Sequence, residues 1–223
     1  MSQSRERMLR LLVESRVYLV TEDAVPSERR IAAAAEALAA GARVLQLRDK
    51  STSKRLLLDE ARTMKALCAE WNALFLVNDD LALAWCADAD GVHLGQTDLP
   101  PEEARRLLGP EKLIGLSISA VDELSEAEKA GVDYLGVGAI FATPTKVDAE
   151  LGGMDLLRRV RSATTKPLVA IGGIDAGNCG AVLQAGADSV AVVRAVFAQP
   201  NVANATRELL RISHEAKAAT RGN

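Results

Sequence analysis

Histidine is nearly absent: only His93 and His214 occur in 223 residues. That scarcity leaves little support for a Ser/His nucleophile pair or a zinc site built on imidazoles. Aromatic residues make up 3% and the formal net charge is -3, so the chain lacks both the stacking platforms and the basic face that a nucleic-acid binder needs. An anionic ligand must then be met by a local cluster of cations. The three cysteines, Cys68, Cys86 and Cys179, are odd in number and scattered, with no C-x-x-C spacing. They suit a reducing cytoplasm rather than a disulfide framework, and read as small buried or half-buried side chains. The apolar run in MSQSRERMLRLLVESR is too short and too interrupted for a signal or membrane helix. It predicts a short amphipathic helix over residues 1–15.

What is present is an ordinary globular composition, 48% hydrophobic and 26% charged, in a length that one barrel of alternating strand and helix commonly occupies. The pattern predicts strands at 16–21, 43–48, 73–78, 91–95, 113–117, 134–140, 167–171 and 189–193. Helices are predicted at 27–40, 54–70, 81–86, 101–108, 121–130, 154–162, 178–184 and 203–216, with a disordered tail at 217–223. Strict alternation implies parallel strands joined by right-handed crossovers. Four related stretches, AAGARVLQLR, CADADGVHLG, KAGVDYLGVG and QAGADSVAVV, introduce the even-numbered strands. Quarter periodicity favours closure over an open doubly wound sheet, and no G-x-G-x-x-G follows the first strand. The expected fold class is α/β, a single (β/α)8 TIM barrel spanning 1–223.

In such a barrel the strand C-termini share one face, where polar residues act together. The second strand ends QLRDK; alternation points Gln46 and Arg48 the same way, and Lys50 with them if the geometry continues. An inward arginine needs an anionic partner, either a ligand or an acidic residue across the barrel. The third strand ends LVNDD, with Asn78, Asp79 and Asp80, and HLGQTD after the fourth offers Gln96 and Asp98. Paired carboxylates with amides and no thiolate suit Mg2+; helix capping is the alternative, since Asp79 and Asp98 each precede a helix. His93 reads as a packed, hydrogen-bonded core residue and His214 as surface. Ser117 reaches the same mouth from GLSIS. The sixth strand runs into ATPTK, whose Thr143, Pro144, Thr145 and Lys146 combine two hydroxyls with an ammonium. Gly173 of IGGI, and Val193 and Arg194 of AVVRA, end strands seven and eight, where barrels of this type hold phosphate. One phosphate nest, a Mg2+ pair and three further cations exceed what one monophosphate needs. They point to two phosphorylated small-molecule ligands, one a metal-bound diphosphate.

QLRDK, VNDD, GVHLGQTD, GLS, YLGVGAIFATPTK, AIGGI and AGADSVAVV, in this order between about Tyr18 and Phe197, resemble the thiamine phosphate synthase family. The resemblance implies a transferase joining a hydroxymethylpyrimidine diphosphate to a thiazole phosphate, with release of pyrophosphate through a dissociative, Mg-assisted step. Carried over by motif, Gln46, Leu47, Arg48, Asp49, Lys50, Asn78, Ser117 and Lys146 would hold the pyrimidine diphosphate. Among them Arg48, Lys50, Ser117 and Lys146 would be catalytic, and Asp79 and Asp98 would bind Mg2+. Thr143, Pro144, Thr145, Gly173, Val193 and Arg194 would contact the thiazole phosphate. Two positions depart from the pattern: Ser119 stands near where many members carry histidine, and Arg194 stands where serine is frequent. The alternatives are a thiazole tautomerase-like barrel acting on the thiazole phosphate alone and a non-catalytic ligand-binding paralogue. The implied setting is cytoplasmic, without a nucleic-acid or membrane partner, and a homo-oligomer is left open. Gly152 and Gly153 behind TPTK suggest a lid that closes over the site.

Overall fold

The computed structural model describes residues 2–23, 25–142 and 151–221, so Thr143, Pro144, Thr145 and Lys146, and the lid expected of them, lie outside the described residues. Helix α1 (Gln3–Ser15) precedes strand β1 (Val17–Val20). The chain then alternates through α2 (Ser27–Ala39), β2 (Val44–Leu47), α3 (Lys54–Glu70), β3 (Leu74–Asn78), α4 (Leu81–Cys86), β4 (Gly91–Leu94), α5 (Pro101–Leu108) and β5 (Leu113–Ile118). It continues through α6 (Leu124–Lys129), β6 (Tyr134–Val137), α7 (Gly153–Ala163), β7 (Leu168–Ile171), α8 (Cys179–Gln184), β8 (Ser189–Val192), α9 (Arg194–Phe197) and α10 (Val202–Arg221). Strands pair in sequence order, and β8 returns in parallel to β1 with Tyr18 opposite Ala191. The ring is closed, and the fold is the (β/α)8 barrel that the alternation predicts.

The strands are apolar on both faces because each face meets a core. Successive side chains point to opposite sides, so Val17 and Leu19 join the layer between strands and helices, while Tyr18 and Val20 fill the barrel with Val44, Leu74, Leu76, Leu113 and Val169. Helix α1 closes the lower end: Leu12 is fully buried in the inner cluster, with Met8, Leu9 and Val13 packed against it.

The quarter repeat has a physical cause at this lower end. Asp90, Asp133 and Asp188, each just before an even strand, accept the backbone N–H of Phe75 (2.9 Å), Ile114 (2.8 Å) and Leu168 (3.0 Å) on the preceding odd strand. Their own N–H groups donate back to the carbonyls of the same three residues at 2.8, 2.7 and 2.8 Å. The helix that precedes each odd strand supplies a cation to the carboxylate: Lys65 of α3 at 2.6 Å, Arg105 of α5 at 2.8 Å and Arg161 of α7 at 3.1 Å. Arg43 occupies the fourth equivalent position, where its guanidinium bonds the carbonyls of Leu38 and Ala42 instead.

Departures from the predicted boundaries have local causes. The helix expected from 121 begins at Leu124, because the Glu123 carboxylate accepts from the N–H of Ser119 (2.7 Å) and Ala120 (3.2 Å) and holds a loop there. Strand β6 ends at Val137 rather than 140, although Ile140 and Phe141 still donate to the carbonyls of Ile171 and Gly172. Helix α10 continues to Arg221, past the expected end at 216. Cys68 and Cys179 are buried as expected, but Cys86 is exposed, at the outer end of a six-residue helix whose Trp85 also faces outwards.

Candidate active site

The QLRDK segment leaves β2 with Gln46 turned into the barrel and Leu47 and Asp49 turned outwards. Gln46 is buried, and its amide nitrogen donates to the Tyr18 hydroxyl at 2.6 Å. Leu47 packs into the outer core. Arg48 is fixed by its backbone, whose N–H and C=O both bond the Thr21 hydroxyl (2.9 and 3.0 Å). Its guanidinium pairs with Asp23 in the loop after β1 at 3.2 Å, so its acidic partner is a neighbour and not a residue across the barrel. Asp49 is turned to a structural task. Its side chain is fully buried 2.6 Å from Arg30 of α2, which also holds Glu60 of α3. Burial pushes the Asp49 carboxyl up, but the hydrogen bonds from Thr52 and Ser51 outweigh it and hold the group well below the usual range. That carboxylate is thereby saturated by Arg30, Ser51 and Thr52.

Lys50 reaches Asp79 at 3.2 Å. The VNDD run assigns one task to each residue. Asn78 ends β3; Asp79 takes a left-handed conformation (φ 62) with its N–H on the His93 carbonyl at 2.9 Å; Asp80 caps α4 by accepting from Leu83 N–H at 2.9 Å. Capping is therefore the work of Asp80. A non-glycine residue at positive φ costs about 1–2 kcal/mol, and here it aims Asp79 towards Asp98. Asp98 accepts the Gly95 N–H at 2.7 Å and is not the α5 cap, a position held by Pro100. Burial raises the Asp98 carboxyl, and the adjacent Asp79, in hydrogen-bonding reach, raises it further. Leu47, Asp49, Lys50, Asn78, Asp79 and Asp80 line a cleft of about 380 Å³.

Ser117, on β5, is held from below by the His93 Nε2 at 2.9 Å, and its carbonyl accepts from the Gln96 amide at 2.7 Å. His93 is the hydrogen-bonded barrel histidine that GVHLG predicts, with Nδ1 3.1 Å from the Tyr134 hydroxyl. On the opposite side, Gly173 has φ 59, and a Cβ there would lie 2.7 Å from both the Ala142 carbonyl oxygen and the Phe141 Cβ. Only glycine lets the end of β7 approach the chain leaving β6 so closely. The N–H groups of Gly152 and Gly153 both donate to the Ala139 carbonyl (3.0 and 3.2 Å), so the segment carrying TPTK starts and finishes at the mouth. Val193 precedes the single-turn α9, and Arg194, its first residue, pairs with Glu22 at 3.3 Å. Sequence reasoning missed Asp23 and Glu22 as partners, and it missed Tyr18 and Tyr134. The tyrosines carry a usable signal: they are the only two in the chain, each inside an apolar strand, and a buried phenol needs a partner.

Among the described residues no group of three or more His, Cys, Asp or Glu is gathered as a metal site, and no helix is long and apolar enough to cross a membrane. Residues 17–196 match the profile described as thiamine monophosphate synthase. The thiamine-phosphate synthase of Synechocystis is 43% identical over 92% of this chain, and that of Thermosynechococcus vestitus 47% over 91%. The chain spans 59% and 57% of those two proteins' lengths. A thiamine phosphate pyrophosphorylase from Pyrococcus furiosus superposes with a TM-score of 0.83 at 37% identity, covering 92% of this chain and 98% of that one.

Proposed function

The chain belongs to the thiamine monophosphate synthase family, and we propose on that premise that it couples a hydroxymethylpyrimidine diphosphate to a thiazole phosphate, releasing pyrophosphate. The observation that carries the reading is the Asp79–Asp98 pair, brought together after adjacent strands, with Lys50 against Asp79. Two carboxylates facing each other raise one another's affinity for positive charge, and a hard ion that takes few protein oxygens suits such a pair. Asp79 and Asp98 would hold Mg2+, which when bound supplies positive charge to the diphosphate oxygens.

The reaction breaks the bond between the pyrimidine methylene carbon and the diphosphate oxygen, and the electron pair leaves with oxygen. The thiazole nitrogen then donates its pair to that carbon. No protein base is needed; the work is to neutralise the leaving group and position the two rings. Lys50 and Arg48 would face the diphosphate, with Asp23 setting the guanidinium's direction. Lys146 would add a further cation there, and Asn78, Gln46 and Ser117 would orient the pyrimidine. Gly173, Val193 and Arg194, with Thr143, Pro144 and Thr145, would receive the thiazole phosphate. A barrel acting on thiazole phosphate alone has no use for the Asp79–Asp98 pair. Free Cys68, Cys86 and Cys179 accord with a cytoplasmic setting.

The test is a pyrophosphate-release assay with both precursors and with each omitted in turn. Release only when both are present supports the coupling. Turnover of the thiazole phosphate without the pyrimidine would replace it with the tautomerase reading, and no turnover of either would leave a binding protein.

A further inference from the structure

Five polar side chains form a continuous line through the barrel interior. The Gln46 amide nitrogen donates to the Tyr18 oxygen (2.6 Å), the Tyr18 and Tyr134 hydroxyls are 3.0 Å apart, Tyr134 lies 3.1 Å from His93 Nδ1, and His93 Nε2 lies 2.9 Å from Ser117 Oγ. The line starts and ends on residues that the proposed reading puts against substrate. It is built in: a Cβ on Gly115 would sit 2.2 Å from Tyr134 Cζ and 2.6 Å from His93 Nδ1, and one on Gly136 would sit 2.8 Å from His93 Cε1. Phenylalanine would fill the space of either tyrosine with no polar group to satisfy.

Each phenol has one hydrogen and must place it on an acceptor. Because the Tyr18 oxygen already accepts from Gln46, its hydrogen goes to the Tyr134 oxygen. The Tyr134 hydrogen then goes to His93 Nδ1, which must present a lone pair. The ring proton is therefore on Nε2 and is donated to Ser117 Oγ, leaving the serine hydrogen to point away from the ring. Burial raises both phenols far above their ordinary range, so neither hydrogen is lost.

We infer that this chain fixes His93 as its Nε2–H tautomer and so makes Ser117 a hydrogen-bond donor to the bound pyrimidine diphosphate, with Tyr18, Tyr134 and His93 as positioning residues. The identity of the acceptor rests on the proposed function; the tautomer does not. A serine that already accepts a bond is the better donor, since hydrogen bonds in a chain polarise one another.

The test uses the scarcity of histidine. In His214→Gln, whose replaced side chain is exposed on α10, every imidazole signal comes from His93. Nitrogen-15 NMR of this substrate-free protein should show the neutral Nε2–H pattern; an Nδ1–H or doubly protonated ring overturns the inference. Tyr134→Phe should shift the Nδ1 resonance and lower kcat by about tenfold, the scale of one hydrogen bond, with KM nearly unchanged. A folded Tyr134→Phe protein with wild-type kcat also overturns it. If that variant fails to fold, the tautomer measurement still decides. Should the wild type release no pyrophosphate while the Nε2–H pattern is present, the proposed function fails and the tautomer assignment stands.

Discussion

Replacing Asp79 with asparagine separates chemistry from architecture at the cleft. Asp79 sits at φ 62, a left-handed conformation that asparagine also tolerates, so the turn is kept. Its N–H bond to the His93 carbonyl belongs to the backbone and survives. The lost contact is the ion pair with Lys50, which is 62% exposed, and a pair so open to water is worth roughly 0.2–1 kcal/mol. Removing the charge beside Asp98 acts in the opposite direction. The net change in stability should stay within about 1 kcal/mol, or roughly 2–4 °C in Tm for a chain of this size. Turnover should fall by roughly 10²–10³-fold, the scale of losing one preorganised electrostatic group from a charge-separating site. Pyrophosphate release and thermal unfolding, measured on the same preparation, read the two quantities. Asp80→Ala is the contrast: removing the α4 cap should cost about 1 kcal/mol and leave turnover close to wild type. An Asp79→Asn protein that melts many degrees lower, or that keeps more than about a tenth of its turnover, would refute the assignment.

Excess EDTA should stop pyrophosphate release and Mg2+ should restore it; full turnover in the chelator would remove the metal from the scheme. Without metal, Asp98 should make stability depend on pH in a defined direction. A carboxyl raised in the fold disfavours its own ionisation there, so its contribution is complete below the ordinary value of 3.8 and is lost as pH rises through the folded value. Asp98→Asn should flatten that part of a Tm-against-pH profile, and an unchanged profile would contradict the cause given for the shift. Lys146→Ala should depress kcat far more than thiazole phosphate affinity, measured by turnover and by equilibrium binding; equal losses would make it a ground-state contact. At the other end of the barrel, Asp133→Asn weakens a nearly fully buried carboxylate's pairs with Arg5 and Arg105. It should cost about 3 kcal/mol by denaturant unfolding, and a loss under about 1 kcal/mol would show that the arginines find other partners.

The alternation of elements was legible because it follows from local periodicity, and boundaries missed where one side chain's hydrogen bonds decide them, as those of Glu123 to Ser119 and Ala120 do for α6. The single-turn α9 is too short for any periodicity to register. At the cleft, the carboxylate-rich strand ends were visible, but VNDD alone does not reveal which aspartate caps the helix. Backbone φ at Asp79 decides it, and that is a tertiary property. In QLRDK alternation carries past the strand end: Asp49, on the face opposite Gln46 and Arg48, turns outwards to Arg30 of α2, 19 positions earlier, a partner that the motif itself does not reveal. Tyr18 and Tyr134 were present as apolar strand residues, and only their meeting across the barrel, 116 positions apart, makes them polar partners.

The aspartate latches beneath the barrel bear on the order in which the chain assembles. Asp90 is 15 positions from Phe75, Asp133 is 19 from Ile114, and Asp188 is 20 from Leu168. Closing such short loops loses little chain entropy, so three of the four strand–helix–strand units can lock from within before the ring exists. The β1–β2 unit has Arg43 in place of an aspartate and lacks this latch. The Arg16 guanidinium meets the Asp188 carbonyl across 172 positions, a contact of the kind that forms late. Assembly should therefore run from pre-locked later units towards the β8–β1 seam, making β1 and β2 the last strands recruited and the first released.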